Sequence, residues 1–339
     1  MNVESRQILG MQSKEIMSKY VATDIGTYYP NWNKKELRNS ILITTSPYEL
    51  ESIQSSLIAK KSIGLQDGVF DFSNSFNNPF FFNKSYKLHF PAINDVILCF
   101  GKKEASYIAG FNKRTVVKTY IPEFVKRTMK LADDFNNPEP EYDVMLTTAN
   151  TAYFDESEFK LLVNYLESVI DSLLSSGYKI CIRIFDNQLL NALSLEDIDN
   201  LKEGSFVEAA ANVKSVITTP STLAVESMIL GLPTATLIYR DMPITTQTGW
   251  MLYNPAIVCS VVESMLNNNR ERLSIQRVLL ENYLEPEVKD ATVKTLTRLS
   301  QLSDQSKTGR EGFAESILLS TWNFNLKFLI KRLLCKLKS

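Results

Sequence analysis

Histidine is almost missing from this chain of 339 residues: there is one, His89. The four cysteines, Cys99, Cys181, Cys259 and Cys335, stand far apart and form no CxxC pair. One imidazole and scattered thiols cannot assemble the usual zinc ligand sets. The first three cysteines read instead as buried, reduced thiols of a cytoplasmic protein, and His89 reads as a loop or structural residue. Neither sign of charge dominates, with 37 Lys and Arg against 38 Asp and Glu. The overall charge therefore selects no anionic partner, and no nucleic acid is expected. No stretch reaches the roughly 18 apolar residues of a membrane span. The N-terminal MNVESRQILGMQSKE lacks the basic flank and apolar run of a signal peptide, so the expected location is the cytoplasm. Repeats of solenoid period and low-complexity tracts are missing too.

What is present is ordinary globular material, 44% hydrophobic and 22% charged, long enough for two domains at about 150 residues each. Short apolar strands alternate with helical segments. Ile41–Thr45 reads as a buried strand, and Pro47–Lys60 as a helix capped by Ser46, with Leu50, Ile53 and Leu57 on one face. Ser62–Leu65 and Asp95–Gly101 are further strands, separated by an aromatic, Asn-rich loop over Phe70–Tyr86. A short helix (Glu104–Ala109) and a strand (Thr115–Val117) follow. The polar, two-proline stretch Asp133–Glu141 is the linker candidate. The pattern then restarts: strands Tyr142–Thr147, Tyr178–Ile184, Val213–Ile217 and Thr234–Ile238, with helices Glu156–Ser175 and Thr222–Leu230. Strand–helix–strand units predict mainly parallel sheets. The fold class expected is α/β, two Rossmann-like domains facing a cleft, with C-terminal helices. Expected bounds are 1–133, 142–300 and a last helix over 311–339. Ligands of such sheets bind beyond the carboxyl ends of the strands.

The most specific stretch runs from Val216 to Pro233, VITTPSTLAVESMILGLP. A strand ends in hydroxyl residues that cap a helix, and the helix closes at Gly231-Leu232-Pro233. A helix start offers unpaired N–H groups and a positive dipole end, and Thr219, Ser221 and Thr222 add hydroxyls, so a phosphate is served there without a basic residue. The stretch resembles the donor-phosphate segment of GT-B glycosyltransferases; similar segments occur in bacterial sialyltransferases, Kdo transferases and teichoic-acid glycerophosphotransferases. The resemblance implies that Glu226 supports the nucleotide.

Gln66-Asp67-Gly68 stands at the end of a strand of the first half. By itself Asp-Gly is a turn. The triplet resembles the acidic-Gly motif of CMP-sugar transferases. The stretches Phe72–Pro79 and Ile97–Gly101 resemble the retaining β-Kdo transferases of capsule and O-antigen synthesis. That resemblance spans about Ile41 to Asp241 and implies Asp67 as the catalytic carboxylate, with Gln66 and Gly68 beside the donor. The sequence departs from sialyl-type relatives in one respect: where they carry a His-Pro pair after a strand of the second domain, it reads KICIRIFD from Lys179 to Asp186. Arg183 is a candidate contact for the donor's phosphate or carboxylate, or else a solvated or internally salt-bridged arginine.

Post-strand loops supply further candidates for substrate contact: Thr148 and Asn150 (with Thr147) after one strand, Arg240 and Asp241 after another, the last two equally able to pair with each other. No Asp-x-Asp stands beside a strand, and GT-B enzymes stabilise the leaving phosphate with helix ends and side chains, so no metal and no cofactor beyond the CMP-sugar substrate are expected. The tail from Trp322 to Lys338 is aromatic, apolar and basic without an acid, and Leu326, Leu329, Ile330, Leu333 and Leu337 share one helical face. It reads as an interfacial helix drawn to anionic lipid at the inner membrane, or as a last helix packed on the core. The resemblance implies a glycosyltransferase moving Kdo from CMP-Kdo with retention onto a lipid-linked or oligosaccharide acceptor. An inverting sialyltransferase, a CDP-glycerol-type glycerophosphotransferase and a non-catalytic sugar-binding module remain the alternatives.

Overall fold

The computed structural model describes residues 3–5, 41–44, 56, 61–66, 68–77, 89–90, 92–113, 115–135, 139–193, 195, 197–240 and 246–284. The predicted helix Pro47–Lys60 (Ser56 apart), Cys335 and the tail from Trp322 lie outside these residues.

In the first half the chain forms β1 (Val3–Ser5), β2 (Ile41–Thr44), β3 (Lys61–Leu65), α1 (Phe72–Asn77), β4 (Val96–Cys99), α2 (Lys102–Phe111), β5 (Val116–Thr119) and α3 (Glu123–Ala132). The second half contains β6 (Tyr142–Thr147), α4 (Glu156–Ser175), β7 (Ile180–Arg183), α5 (Asn187–Ala192), α6 (Phe206–Ala210) and β8 (Val213–Thr218). It continues with α7 (Thr222–Ile229), β9 (Thr234–Leu237), β10 (Trp250–Leu252), a 3-10 turn at Pro255–Ile257, α8 (Val258–Leu266) and α9 (Arg270–Leu284). Among the described residues each half forms one five-stranded sheet, and every described pairing is parallel. The α/β class with two Rossmann-like sheets is therefore the observed architecture. The orders differ. The first sheet runs β1-β2-β3-β4-β5, whereas the second runs β10-β9-β8-β6-β7 and reverses direction at β6.

Parallel strands covered on both faces carry unbroken apolar runs, because neither face sees water. Along β6, Val144 and Leu146 point into a core shared with α4 and α8, while Tyr142 and Met145 point into one shared with α6. Helix α4 matches its predicted bounds: Asp155 caps it by accepting from the Ser157 and Glu158 N–H groups, and Leu162, Tyr165, Leu166, Val169, Ile170 and Leu173 are buried at helical spacing. The region expected to be a loop at Phe70–Tyr86 instead opens with α1. Asp71 Oδ1 accepts from the Ser73 N–H, and Phe72 stacks on Phe76 one turn later at 4.4 Å between ring centres. Cys99 and Cys181 are buried thiols as expected, but Cys259 is only half-buried. His89 is a buried structural residue at φ 65°; burial lowers its imidazole pKa to about 4, and its carbonyl accepts from Asn112.

The two halves share an apolar seam. Phe100 from the end of β4, Ile121 and Val125 around α3, Val225 and Met228 of α7 and Tyr283 of α9 form one buried cluster. Phe100 is fully buried against the Tyr283 ring, 5.2 Å between centres. Phe100→Ala is expected to lower the unfolding free energy by about 3–5 kcal/mol, by lost transfer energy and the cavity left behind. Urea denaturation checks this, and a loss below about 1 kcal/mol would mean that the site collapses freely.

Candidate functional site

The second sheet reverses order between β6 and β8, with β7 on one side and β9 and β10 on the other. At such a reversal successive connections leave on opposite faces, and the loops beyond the carboxyl ends of the strands part around a crevice. Those loops are Thr148 to Asn150 after β6 and Thr219 to Ser221 after β8. They are tied together: the Ala149 N–H donates to Thr219 Oγ1 at 2.7 Å, and the Thr219 N–H to the Thr147 carbonyl at 3.3 Å. Thr148 is buried and Asn150 exposed, so the loop presents the asparagine outward.

Helix α7 starts directly from the second loop. Ser221 is its N-cap in extended conformation, with Oγ accepting from the Leu223 N–H at 3.2 Å. Gly231 (φ 77°) closes the helix in a Schellman turn, its N–H reaching the Met228 carbonyl and the Leu232 N–H reaching that of Ser227. Facing the helix start is the first half. The Val69 N–H donates to Thr222 Oγ1 at 3.3 Å. A Cβ on Gly68 would lie 2.7 Å from the same oxygen, so no other residue permits this approach. The Ser221 and Thr222 hydroxyls both accept a backbone N–H, and each keeps its own proton to donate to a third group. Beside the N–H groups of the helix start, such a pair suits an anion.

The turn that meets Thr222 is braced from its own sheet. Gln66 Nε2 donates to the Gly68 carbonyl at 2.6 Å, Gln66 Oε1 accepts from the Phe100 N–H at 3.3 Å, and the Tyr120 hydroxyl donates to the Gln66 carbonyl. Gln66 thus shapes the turn. Asp67, between Gln66 and Gly68, lies outside the described residues, as does Asp241. Glu226 faces α3, where its Oε1 accepts from the Thr128 hydroxyl at 2.7 Å; burial raises its pKa and outweighs that hydrogen bond, which lowers it. Arg183 is spent within its own half. Its guanidinium donates to the carbonyls of Leu201, Glu203 and Gly204 and lies over the Phe185 ring, so it braces the segment before α6.

Arg240 stands at the seam rather than at the surface. It is 8% exposed; Nη2 meets Asp71 Oδ2 at 3.1 Å and the Thr151 carbonyl at 3.1 Å, and Nη1 meets Glu158 Oε2 at 3.4 Å. Asp71, Glu158 and Thr128 were invisible as site residues in sequence, because their partners are 82 to 169 positions away. Glu104 was equally hidden inside a helix start. Fully buried, it accepts the Phe70 N–H at 3.0 Å through Oε1, while Oε2 has no partner.

No family model matches the chain, and no curated protein matches it in sequence. Solved structures do match. The Methanocaldococcus jannaschii UDP-GlcNAc 2-epimerase, in complex with UDP-GlcNAc and UDP, is 16% identical with a TM-score of 0.55; the match covers 83% of this chain and 100% of that one. The S. aureus TarM, in complex with fondaparinux, alpha-GlcNAc-glycerol and UDP, is 14% identical at a TM-score of 0.48 over 77% of this chain and 55% of that one. The wall teichoic acid polymerase TagF is 13% identical at 0.48 over 88% and 87%. The likeness to the epimerase is one of fold: this chain has the same two-sheet α/β architecture.

Burial pushes the Glu104 carboxyl well above the usual glutamate range, and outweighs the Phe70 hydrogen bond and the Lys103 charge, which lower it. The folded protein therefore holds this proton where the unfolded chain has released it. The stability that goes with the neutral acid is complete below the ordinary glutamate range and is lost as pH rises through the raised folded value. Glu104→Gln keeps an acceptor for Phe70 and has no proton to lose. Thermal scans should show it gaining on the wild type more at about pH 8 than at about pH 4; an equal difference at both would mean that the carboxyl is ionised in the fold.

Proposed function

We propose that the protein is a glycosyltransferase that takes a nucleotide-activated sugar, with CMP-Kdo as donor, and transfers the sugar with retention onto a lipid-linked or oligosaccharide acceptor of bacterial surface polysaccharide. One observation carries this reading. The segment after Gln66-Asp67-Gly68 and the Ser221-Thr222 helix start lie far apart in the chain, yet beside the switch point of the second sheet the Val69 N–H donates to Thr222, 153 residues away. The donor phosphate is assigned to the Thr219–Thr222 loop and helix start, where hydroxyl protons and backbone N–H groups supply the counter-charge. Thr148 and Asn150 border the same crevice and are assigned to the donor's nucleoside or sugar. Asp67, adjoining Gly68, is assigned as the reacting carboxylate. The geometry favours bracing roles for Gln66 and Arg183 over direct donor contact. The basic, apolar tail from Trp322 is assigned to the inner-membrane surface, which suits an acceptor on a lipid carrier. Among the described residues, no helix is long and apolar enough to cross a membrane.

Calorimetry with CMP, CDP-glycerol and UDP tests the donor; UDP belongs in the panel because the M. jannaschii epimerase binds it. CMP is expected to bind, and Ser221→Ala with Thr222→Ala to weaken it, each lost hydrogen bond to a charged group being worth about 1.5–3 kcal/mol. Unchanged CMP affinity in the double variant removes the phosphate from this loop. Preference for CDP-glycerol would replace sugar transfer by glycerophosphate transfer.

A ketosidic transfer passes through an oxocarbenium-like state, and retention follows most simply from two displacements. The carboxylate attacks the anomeric carbon and expels CMP; the acceptor hydroxyl then displaces the carboxylate and gives up its proton. Asp67→Asn should abolish transfer while CMP still binds. Intact-protein mass spectrometry with donor alone should show the mass of one sugar added to the wild type and none to Asp67→Asn. No adduct together with an inverted product would make Asp67 a general base, and full activity in the variant would remove it from the reaction.

A further inference from the structure

The turn from Gly68 to Asp71 is held at successive residues by different partners. The Val69 N–H reaches Thr222 in the second half, and the Phe70 N–H reaches Glu104 in the first. Asp71 reaches Arg240 in the second. These contacts differ in strength. The Thr222 contact is long and between neutral groups, and the Glu104 contact ties the turn only to its own sheet. The Asp71–Arg240 pair is charged, has both side chains 5% exposed and crosses the seam. Charged hydrogen bonds in a desolvated setting are the stronger class.

Arg240 is itself aimed by its own half. Glu158 Oε2 takes one guanidinium nitrogen and the Thr151 carbonyl shares the other. The Tyr239 and Phe154 rings lie 5.1 and 5.6 Å from the guanidinium carbon. Glu158 is in turn held by the Phe154 N–H at 2.9 Å. On the other side, Asp71 is fixed by accepting from the Ser73 N–H, and the Ser73 hydroxyl donates to Glu158 Oε1 at 3.2 Å, a second link across the seam. A planar fork serves two carboxylates and a carbonyl at once, which an ammonium on a flexible stem does not.

We propose that Arg240 is a positioning residue: paired with Asp71 across the seam, it holds the Gly68–Asp71 turn against the Ser221–Thr222 helix start, so the facing surfaces of the candidate site are assembled by this ion pair. The purpose assigned to that assembly rests on the proposed glycosyl transfer; the holding itself does not.

Hydrogen exchange of the full chain without ligand tests the holding. Peptides over residues 66–76 are expected to exchange about ten-fold faster in Arg240→Met and in Asp71→Asn, with the double variant no faster than the worse single one. Arg240→Lys, which keeps the charge but not the fork, should fall between, and it serves if Arg240→Met does not fold. Arg183→Met removes a buried arginine that does not cross the seam, and should leave these peptides within about two-fold of the wild type. Wild-type exchange of 66–76 in Arg240→Met, or an equal rise in Arg183→Met, overturns the proposal. Turnover and CMP binding supply the second readout. Arg240→Met should lower kcat about ten-fold with CMP affinity within about two-fold; weakened CMP binding with kcat retained would make Arg240 a ligand contact instead. Failure of sugar transfer in the wild type would sink the proposed function and leave the exchange result standing.

Discussion

A guanidinium cannot be taken out of water alone. Removing an ion of this size from solvent costs several kcal/mol, and only close counter-charges with good geometry offset it. Arg240, three residues beyond β9, is nearly desolvated, so the fold must bring carboxylates to it. Glu158 comes from the same half and Asp71 from the other. The second of these makes the relative placement of the two sheets a requirement of electrostatics. A buried pair of this kind adds little net stability over an apolar pair of the same volume, but it tolerates one geometry and penalises the rest. Its consequence is register.

The apolar cluster at the seam does the complementary work. Phe100, Ile121, Val125, Val225, Met228 and Tyr283 remove surface from water without preferring one orientation. Sliding by an ångström would leave much of that burial intact while breaking the Asp71–Arg240 and Thr128–Glu226 hydrogen bonds. The adhesion of the halves and the accuracy of their alignment thus come from different residues. Gly68 is the point at which accuracy matters most, because a single added carbon there collides with Thr222.

Much of the second half was legible in the sequence because its signals are local. Asp155 caps α4 and Leu162 to Leu173 repeat at helical spacing, so both bounds could be read. The Gly231 turn that ends α7 needs only a residue that accepts positive φ. Helix α1 was missed for the opposite reason. Its sequence, FSNSFN, has weak helix formers, and what holds it is Asp71, a residue committed simultaneously to Arg240 in the distant half. The site divides the same way. Hydroxyls before a helix announce themselves. That Gln66 and Arg183 brace backbone carbonyls could not be read, because a side chain's direction depends on packing that the local sequence does not encode. The pairing of Arg240 with Asp71 was hidden by distance along the chain; the near neighbour Asp241 was the partner that sequence offered.

This division of roles explains the neutral character of the helix start. The buried arginines on this side of the second sheet are occupied, Arg183 with carbonyls and Arg240 with carboxylates. In the proposed transfer, the donor phosphate at α7 therefore meets hydroxyls and backbone N–H groups. Neutral donors fixed by their own acceptor bonds, as Ser221 is by Leu223 and Thr222 by Val69, need no reorganisation when charge arrives. They also hold a departing phosphate less tenaciously than a salt bridge would, because a hydrogen bond with one charged partner lacks the full Coulomb attraction of an ion pair. In the proposed transfer, charge builds on the leaving phosphate while the donor bond breaks, and the product must then leave. Fixed dipoles around the phosphate, with the buried arginines kept for bracing its surroundings, meet both demands.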